Sequence, residues 1–392
     1  MHASTTGPLS YGQLSEWRNV DTHPRHRWHE ANTWSRWQLP PNVETDAVRH
    51  ALQALAVRHL SLQTIYDFTD PASPRQLLGP CKDAELTVVE CATPEEDEAL
   101  SDEALNRPFD LQAEVAWRAQ IRTRLGRPTD VLLIRHHMVA DNWSDTLLEH
   151  DFATYLRGAR PTPAPTPLDL ATWQRSRAAT NTYWQDFLTS GAGRGFPGAD
   201  PNLAGQMQCT LRSHPAYLGA HDLAARTRTS LSNVVLAAYT FAVAQVTDLD
   251  HLVAHSMCAN RFHPQWRQTV TSMSQYAPIP LTLLDDLEEH TIQVHRAAMI
   301  AYRHSMYDPD TIAAEHKPTC TYNFFPWQDL AGLPADDPEP VWEDPASTVS
   351  EGCYLRAAED TGSTLKLRLM TNGIERERVA GIMKQMHALL VG

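Results

Sequence analysis

Ten consecutive residues, Arg135-His136-His137-Met138-Val139-Ala140-Asp141-Asn142-Trp143-Ser144, bring two histidines, a carboxylate and a hydroxyl to the junction between a strand-like run and a helix-like one. An imidazole titrates near neutral pH, so a histidine at a strand end can act as general base once a second group fixes its tautomer and ring orientation. Side chains alternate along a strand, which sends His136 and His137 to opposite sides and lets only one of them face a given cavity. Asp141, four residues on and across a turn, can supply that orientation or tie the turn down through an arginine. Other readings stand beside this one. The histidines can be a packed core residue and its surface neighbour. His136, His137 and Asp141 can be metal ligands, although adjacent residues rarely converge on one ion and no fourth ligand is visible; no metal is expected. A Ser-His-Asp hydrolase would need a nucleophile elbow, and no Gly-x-Ser-x-Gly occurs in the chain.

The elements that must position the cluster are read from hydrophobic periodicity. Residues 115–122 and 130–137 read as strands that Gly126-Arg127-Pro128-Thr129 can join as a hairpin, the cluster closing the second. Beyond it, residues 144–156 place Leu147, Leu148, Phe152, Tyr155 and Leu156 on one side of a helix that Gly158 can stop. Upstream, residues 43–60 form an amphipathic helix, 62–68 and 84–89 short strands, and the acidic segment 94–102 the solvated start of a helix. Residues 157–167 end in four prolines within seven residues and read as a linker. It divides the chain into lobes 1–160 and 161–392, the second starting at residue 168 once the linker is passed. The second lobe repeats the mixture: a helix near 181–188, a strand near 207–212, an apolar helix over 232–246, strands over 252–258, 319–325, 353–357 and 364–370, and a closing helix over 374–390. The predicted fold class is α+β, an α/β sandwich in each of two lobes.

Length and composition agree with this. The 392 residues are about two to two and a half ordinary domains, and 42% apolar with 20% charged residues excludes a disordered or collagen-like chain. With 33 basic against 47 acidic residues the net charge is −14, which argues against a nucleic-acid partner. No run approaches the roughly 20 apolar residues of a membrane helix, and the N-terminus carries no export signal, so no membrane partner and a cytoplasmic location are expected. Six scattered cysteines without a Cys-x-x-Cys pair read as reduced, buried thiols.

With its flanks, the cluster resembles the His-His-x-x-x-Asp-Gly signature of the condensation domains of non-ribosomal peptide synthetases, which share a fold with chloramphenicol acetyltransferase. Further landmarks follow in order. Leu9-Ser10-Tyr11-Gly12-Gln13 with Trp17 resembles the opening Ser-x-x-Gln motif, and Arg58-His59-Leu60-Ser61-Leu62-Gln63-Thr64-Ile65-Tyr66 the Arg-His-x-x-Leu-Arg-Thr-x-Phe motif. Arg107-Pro108-Phe109-Asp110-Leu111 is similar to a Pro-Phe-Asp-Leu element, Asn260-Arg261 to an Asn-Arg or Gly-Arg step, and Tyr322-Asn323-Phe324 to a family strand.

The resemblance implies two lobes arranged as a V, with the site in a tunnel between them. It implies an acyltransferase that joins an acyl or aminoacyl thioester, held on the phosphopantetheine arm of a carrier protein, to an amine or, second, a hydroxyl acceptor, with no tightly bound cofactor. By motif position His137 is the catalytic histidine, His136 and Asp141 are structural, and Asp141 pairs with Arg261 from the other lobe. The amide after Asp141, at Asn142, and the Ser144 hydroxyl are implied to steady an oxyanion. Three departures stand out. Asn142 replaces Gly, where Asn is the non-Gly residue best able to keep a positive φ. Gln63 replaces the second Arg of its motif. Residues 270–275 with Tyr276 replace a Val-Gly-x-Phe-x-Asn segment, placing Ser274, Gln275 and Tyr276 on the acceptor side. No adenylation or carrier segment is visible, so a stand-alone enzyme that meets an acidic carrier in trans is expected, Arg18, Arg25, Arg27 and Arg36 being candidates for a docking patch. The alternatives are an acyl-coenzyme A-dependent acyltransferase, a non-catalytic docking module and an epimerase.

Overall fold

The computed structural model describes residues 5–79, 83–178, 183–184, 187, 205–312, 319–324, 337–345, 349, 352–360 and 363–392. The chain divides into two compact units, Met1–Thr180 with Ala259–Gln275, and Asn181–Cys258 with Tyr276–Gly392.

In the first unit a four-stranded sheet has the order β2-β7-β6-β5, built from β2 (Asn32–Gln38), β5 (Glu85–Glu90), β6 (Trp117–Arg124) and β7 (Arg127–His136). The β6–β7 hairpin is closed by Leu125 and Gly126, with φ of 51° and 72°, the left-handed pair that matches the twist of two-residue hairpins. A second, three-stranded antiparallel sheet joins β1 (Thr5–Pro8), β4 (Arg75–Leu78) and β3 (Thr64–Asp67). Helices α1 (Tyr11–Val20), α2 (Thr45–Arg58), α3 (Pro94–Leu105), α4 (Asn142–Leu156) and α5 (Pro167–Ala178) complete the unit. Its core gathers Leu52, Leu55, Trp37, Ile121, Val131, Leu133 and Phe152. Strand β7 is buried from Asp130 to His136, so its polar end enters the interior with it.

The second unit is built on a seven-stranded sheet of order β10-β9-β11-β13-β14-β8-β12, with β8 (Gln206–Ser213), β9 (His251–Cys258), β10 (Gln275–Thr282), β11 (Cys320–Phe324), β12 (Asp337–Glu343), β13 (Gly352–Asp360) and β14 (Thr364–Asn372). Strand β11 runs parallel to β9 and β13, and β13, β14, β8 and β12 pair antiparallel. Helices α6 (His214–Thr227), α8 (Leu287–Arg303) and α9 (Arg376–Val391) pack around α7 (Leu231–Thr247), which is buried continuously from Asn233 to Ala244. No single described helix is long and apolar enough to cross a membrane.

The α+β class expected from the sequence is the one observed. The boundary expected at 160/161 falls inside the first unit. Gly158, at φ 87°, ends α4, and the prolines beyond it do not end the unit, because α5 docks onto the start of α1, where the Tyr11 amide donates to Gln174 Oε1 at 2.9 Å. The helix expected over 181–188 lies for most of its length outside the described residues, as does Cys81. The cysteines at 91, 209, 258, 320 and 353 are buried.

Candidate active site

Strand β7 delivers the two histidines and stops between them. The His136 amide donates to Ala116 O at 2.9 Å and the His137 amide to Ala31 O at 2.8 Å, after which the chain turns into α4. His136 is wholly buried. Its Nδ1 accepts the Met138 amide at 3.2 Å, which assigns the ring proton to Nε2, where no partner stands. Burial, and secondarily His137 beside it, pushes its pKa down to about 3, so this imidazole is neutral. His137 faces the other way and keeps 28% of its side chain exposed, as strand alternation requires. Its Nδ1 is buried without a hydrogen-bond partner and lies 3.9 Å from Glu16 Oε2 of α1.

Asp141 ties the turn down. It is the N-cap of α4, Oδ1 accepting the Ser144 amide at 2.9 Å and the Ser144 hydroxyl at 2.8 Å. Arg261 Nη2 donates to both carboxylate oxygens, at 2.8 and 3.0 Å, and the Met273 amide and Ser274 hydroxyl reach Oδ2 at 3.0 and 3.3 Å. Burial pushes the Asp141 pKa up, but Arg261 and the donated N–H groups outweigh it and hold the carboxyl below its ordinary range. Arg261 is equally committed, to the carbonyls of Trp266, Thr269 and Thr271 and to Ser144 Oγ. Behind it, Arg135 pairs with Asp145 on α4. Burial there raises the Asp145 pKa despite Arg135.

The pairing of Asp141 with Arg261 is present, but Arg261 belongs to the same compact unit as Asp141. The segment Ala259–Gln275 returns to the first unit, and this is what brings a residue 120 positions downstream against the turn. Asn142 is the first residue of α4 and is exposed; it is absent from the residues with positive φ, so the conformational argument for Asn at that position does not apply. The left-handed residue in this cluster is Asn260, at φ 58°, whose side-chain Nδ2 donates to Met273 O at 2.9 Å. Ser144 is committed to the turn. Its buried hydroxyl has one hydrogen, aimed at Asp141 Oδ1 or Thr271 O, and accepts from Arg261 Nη2 and the Thr271 amide. Ser274 is bound to Asp141 and Gln275 is buried beside it in sequence. Tyr276 belongs to the second unit, where it stacks edge-on with Tyr354.

The other motifs position these elements. Ser10 and Gln13 form a capping box on α1, the Ser10 amide donating to Gln13 Oε1 at 2.8 Å. Arg58 and His59 both donate to Asp151 Oδ2 of α4 at 2.7 Å, clamping α2 to the helix that follows the signature. Gln63 Nε2 donates to the Ala56 carbonyl of α2. Glu16, Asp145 and Asp151 were not singled out in the sequence. Asp151 is the acid that an Arg-His pair needs, whereas Glu16 has no spacing signal. Among the described residues no group of three or more His, Cys, Asp or Glu could hold a metal ion.

Comparison with known proteins supports one family. The condensation-domain family model matches residues 25–317. A beauvericin nonribosomal cyclodepsipeptide synthetase, BEA1 of Gibberella fujikuroi, is 31% identical over 241 residues, 56% of this chain and 8% of its own length. Chondramide synthase of Chondromyces crocatus is 24% identical over 322 residues, 75% of this chain and 8% of its own. The chain thus spans less than a tenth of these relatives. Among solved structures, the condensation domain of the monacolin K polyketide synthase MokA superposes with TM-score 0.79 at 15% identity, covering 100% of this chain and 98% of that one. The SgcC5 protein from Streptomyces globisporus gives 0.74 at 17% identity, covering 98% of each. With its family match, its mixed fold and its paired histidines ahead of a capping aspartate, the chain belongs to the condensation-domain family.

Proposed function

We propose that the chain transfers an acyl or aminoacyl group from the phosphopantetheine thioester of a carrier protein to an amine, giving an amide and a free thiol, with a hydroxyl acceptor and an ester as the second product class. The observation that carries this is the placement of His137, partly exposed at the end of a buried strand and one turn before the N-terminus of a helix capped by a charge-locked aspartate. In this reading His137 takes the proton from the amine as it attacks the thioester carbonyl and returns it to the departing thiolate, so no proton is gained or lost. The Asn142 amide lies at the positive end of α4, in the right chemical setting to meet the oxygen on which negative charge develops. A thioester is already activated, and alignment of two bound reactants removes a large entropic part of the barrier. Supply of the carrier in trans is part of this reading, and the net charge of −14 requires a local basic patch for an acidic carrier.

The test is thiol release from a panel of acyl-pantetheine, acyl-coenzyme A and acyl-carrier thioesters with pooled amine and alcohol acceptors. Acceptor-dependent release from carrier thioesters that falls by about 10²–10⁴-fold in His137→Ala supports the proposal. Release from acyl-coenzyme A with no gain from a carrier would make the chain a soluble-donor acyltransferase. A folded protein that binds carrier and releases nothing would be a recruitment module.

A further inference from the structure

Glu16 and Gly12 stand four residues apart on α1 and therefore share one face of the helix. That face lies against the backbone of residues 272–273: a Cβ on Gly12 would stand 2.5 Å from the Ser272 carbonyl oxygen and 2.6 Å from Met273 Cα. The Ser10 hydroxyl donates to the same Ser272 carbonyl at 3.3 Å, and the next amide, Met273 N–H, is the one that Asp141 holds. Helix α1 is thus pinned to the short backbone stretch that fixes the signature turn, and Glu16 extends from it toward His137.

The two side chains are 19% and 28% exposed, and Glu16 Oε2 lies 3.9 Å from His137 Nδ1, a buried atom with no hydrogen-bond partner. An unprotonated Nδ1 would aim its lone pair at a carboxylate; a protonated one aims an N–H at it. Away from bulk water the difference between these two arrangements is large. Asp145, the other carboxylate whose charge reaches His137, is engaged by Arg135.

We infer that Glu16 is the positioning residue of His137, closing to a hydrogen bond with Nδ1–H and leaving the lone pair on Nε2. The inference rests on the assignment of His137 as base. When Nε2 accepts the proton of the attacking amine, the ring carries a positive charge beside the Glu16 carboxylate, which stays ionised, and the proton then leaves with the thiolate. Glu16 makes no contact with the reacting atoms.

Nitrogen-15 spectra of the whole chain, labelled at the histidine rings and assigned through His137→Ala, read the tautomer directly. The expected result is the Nδ1–H form in the native protein and in Glu16→Asp, and reversion in Glu16→Leu to the Nε2–H form that free histidine prefers. Glu16→Leu is expected to lose kcat by roughly tenfold to a hundredfold with KM held within about twofold, less than the loss on removing the base itself, and Glu16→Asp to recover most of it. An Nε2–H tautomer in the native protein, or a tautomer and kcat indifferent to Glu16→Leu, overturns the inference. Full activity in His137→Ala, with the tautomer still responding to Glu16, would overturn the base assignment and leave the pairing standing.

Discussion

Asp141 holds one end of α4, one arginine and one returning backbone segment with a single carboxylate. A buried ion pair of this kind adds little net stability over an apolar replacement of both partners, because each charge has been taken out of water; removal of one partner alone strands the other. Arg261→Ala is therefore expected to lower the unfolding free energy by about 3–5 kcal/mol, measured by urea denaturation, and to displace the turn that carries His137. Arg261→Lys should recover only part, since an ammonium cannot bridge both carboxylate oxygens while reaching the Trp266 and Thr269 carbonyls. A loss under about 1 kcal/mol for Arg261→Ala would show that the network is not what holds the turn. The same cluster explains the Asn-or-Gly choice beside the arginine. Asn260 is left-handed at φ 58°, a conformation those two residues tolerate, and it aims Arg261 inward. The left-handed backbone at this turn lies at residue 260 and not at residue 142.

Among the elements, α1 shows most sharply how close packing decides the sign of a substitution. Gly12→Ala would gain helix propensity but drive a methyl into the Ser272 and Met273 backbone, which has no side-chain freedom with which to yield. A net loss of about 1–3 kcal/mol is expected. Gly381→Ala, inside α9, meets only Val246 at 3.7 Å and is expected to stabilise by about 0.5–1 kcal/mol. Thermal unfolding of the two variants should move in opposite directions; movement in the same direction would remove the close approach of α1 as an explanation for Gly12. Elements with clean apolar periodicity were legible in the sequence. The hairpin of β6 and β7, α2, α4, α7 and α9 all lie within a few residues of their expected bounds, and the histidines end β7 as expected. Others were hidden by polar residues that face inward. Helix α8 buries His290 and Thr291 within its apolar stripe, β2 turns Ser35 in and Trp34 out, and α1 buries Gln13. Glu16 was illegible because its partner is set by the packing of α1 on a segment some 260 residues away, which no local pattern encodes.

Across the whole molecule each compact unit buries a neutral histidine, and this gives the protein an acid-side weakness that precedes carboxylate titration. His136 lies in the first unit, with its pKa pushed down by burial to about 3. His290 lies in the second, pushed down by burial to about 4, its Nε2 meeting Thr240 Oγ1 at 3.1 Å. Both folded values lie below that of an unfolded histidine, near 6.5, so between those limits the unfolded chain binds more protons than the folded one. Stability contributed by the neutral rings is thus complete above about pH 6.5 and is lost as the pH falls, at up to about 1.4 kcal/mol per pH unit for each histidine. Asp141, held below its ordinary range, contributes in the same direction only below about pH 4, whereas Asp145, raised by burial, acts in the opposite sense. The histidine terms are separated from these by comparing slopes. Between pH 5.5 and 4.5, His136→Gln and His290→Gln should each show a shallower fall of unfolding free energy with pH than the native chain, by about 1.4 kcal/mol per unit, even if each is less stable at pH 7. Urea denaturation at several pH values reads this. Slopes equal to the native one would mean that water or a conformational change reaches those rings before they are protonated, and that the interior of each unit is less closed than its packing indicates.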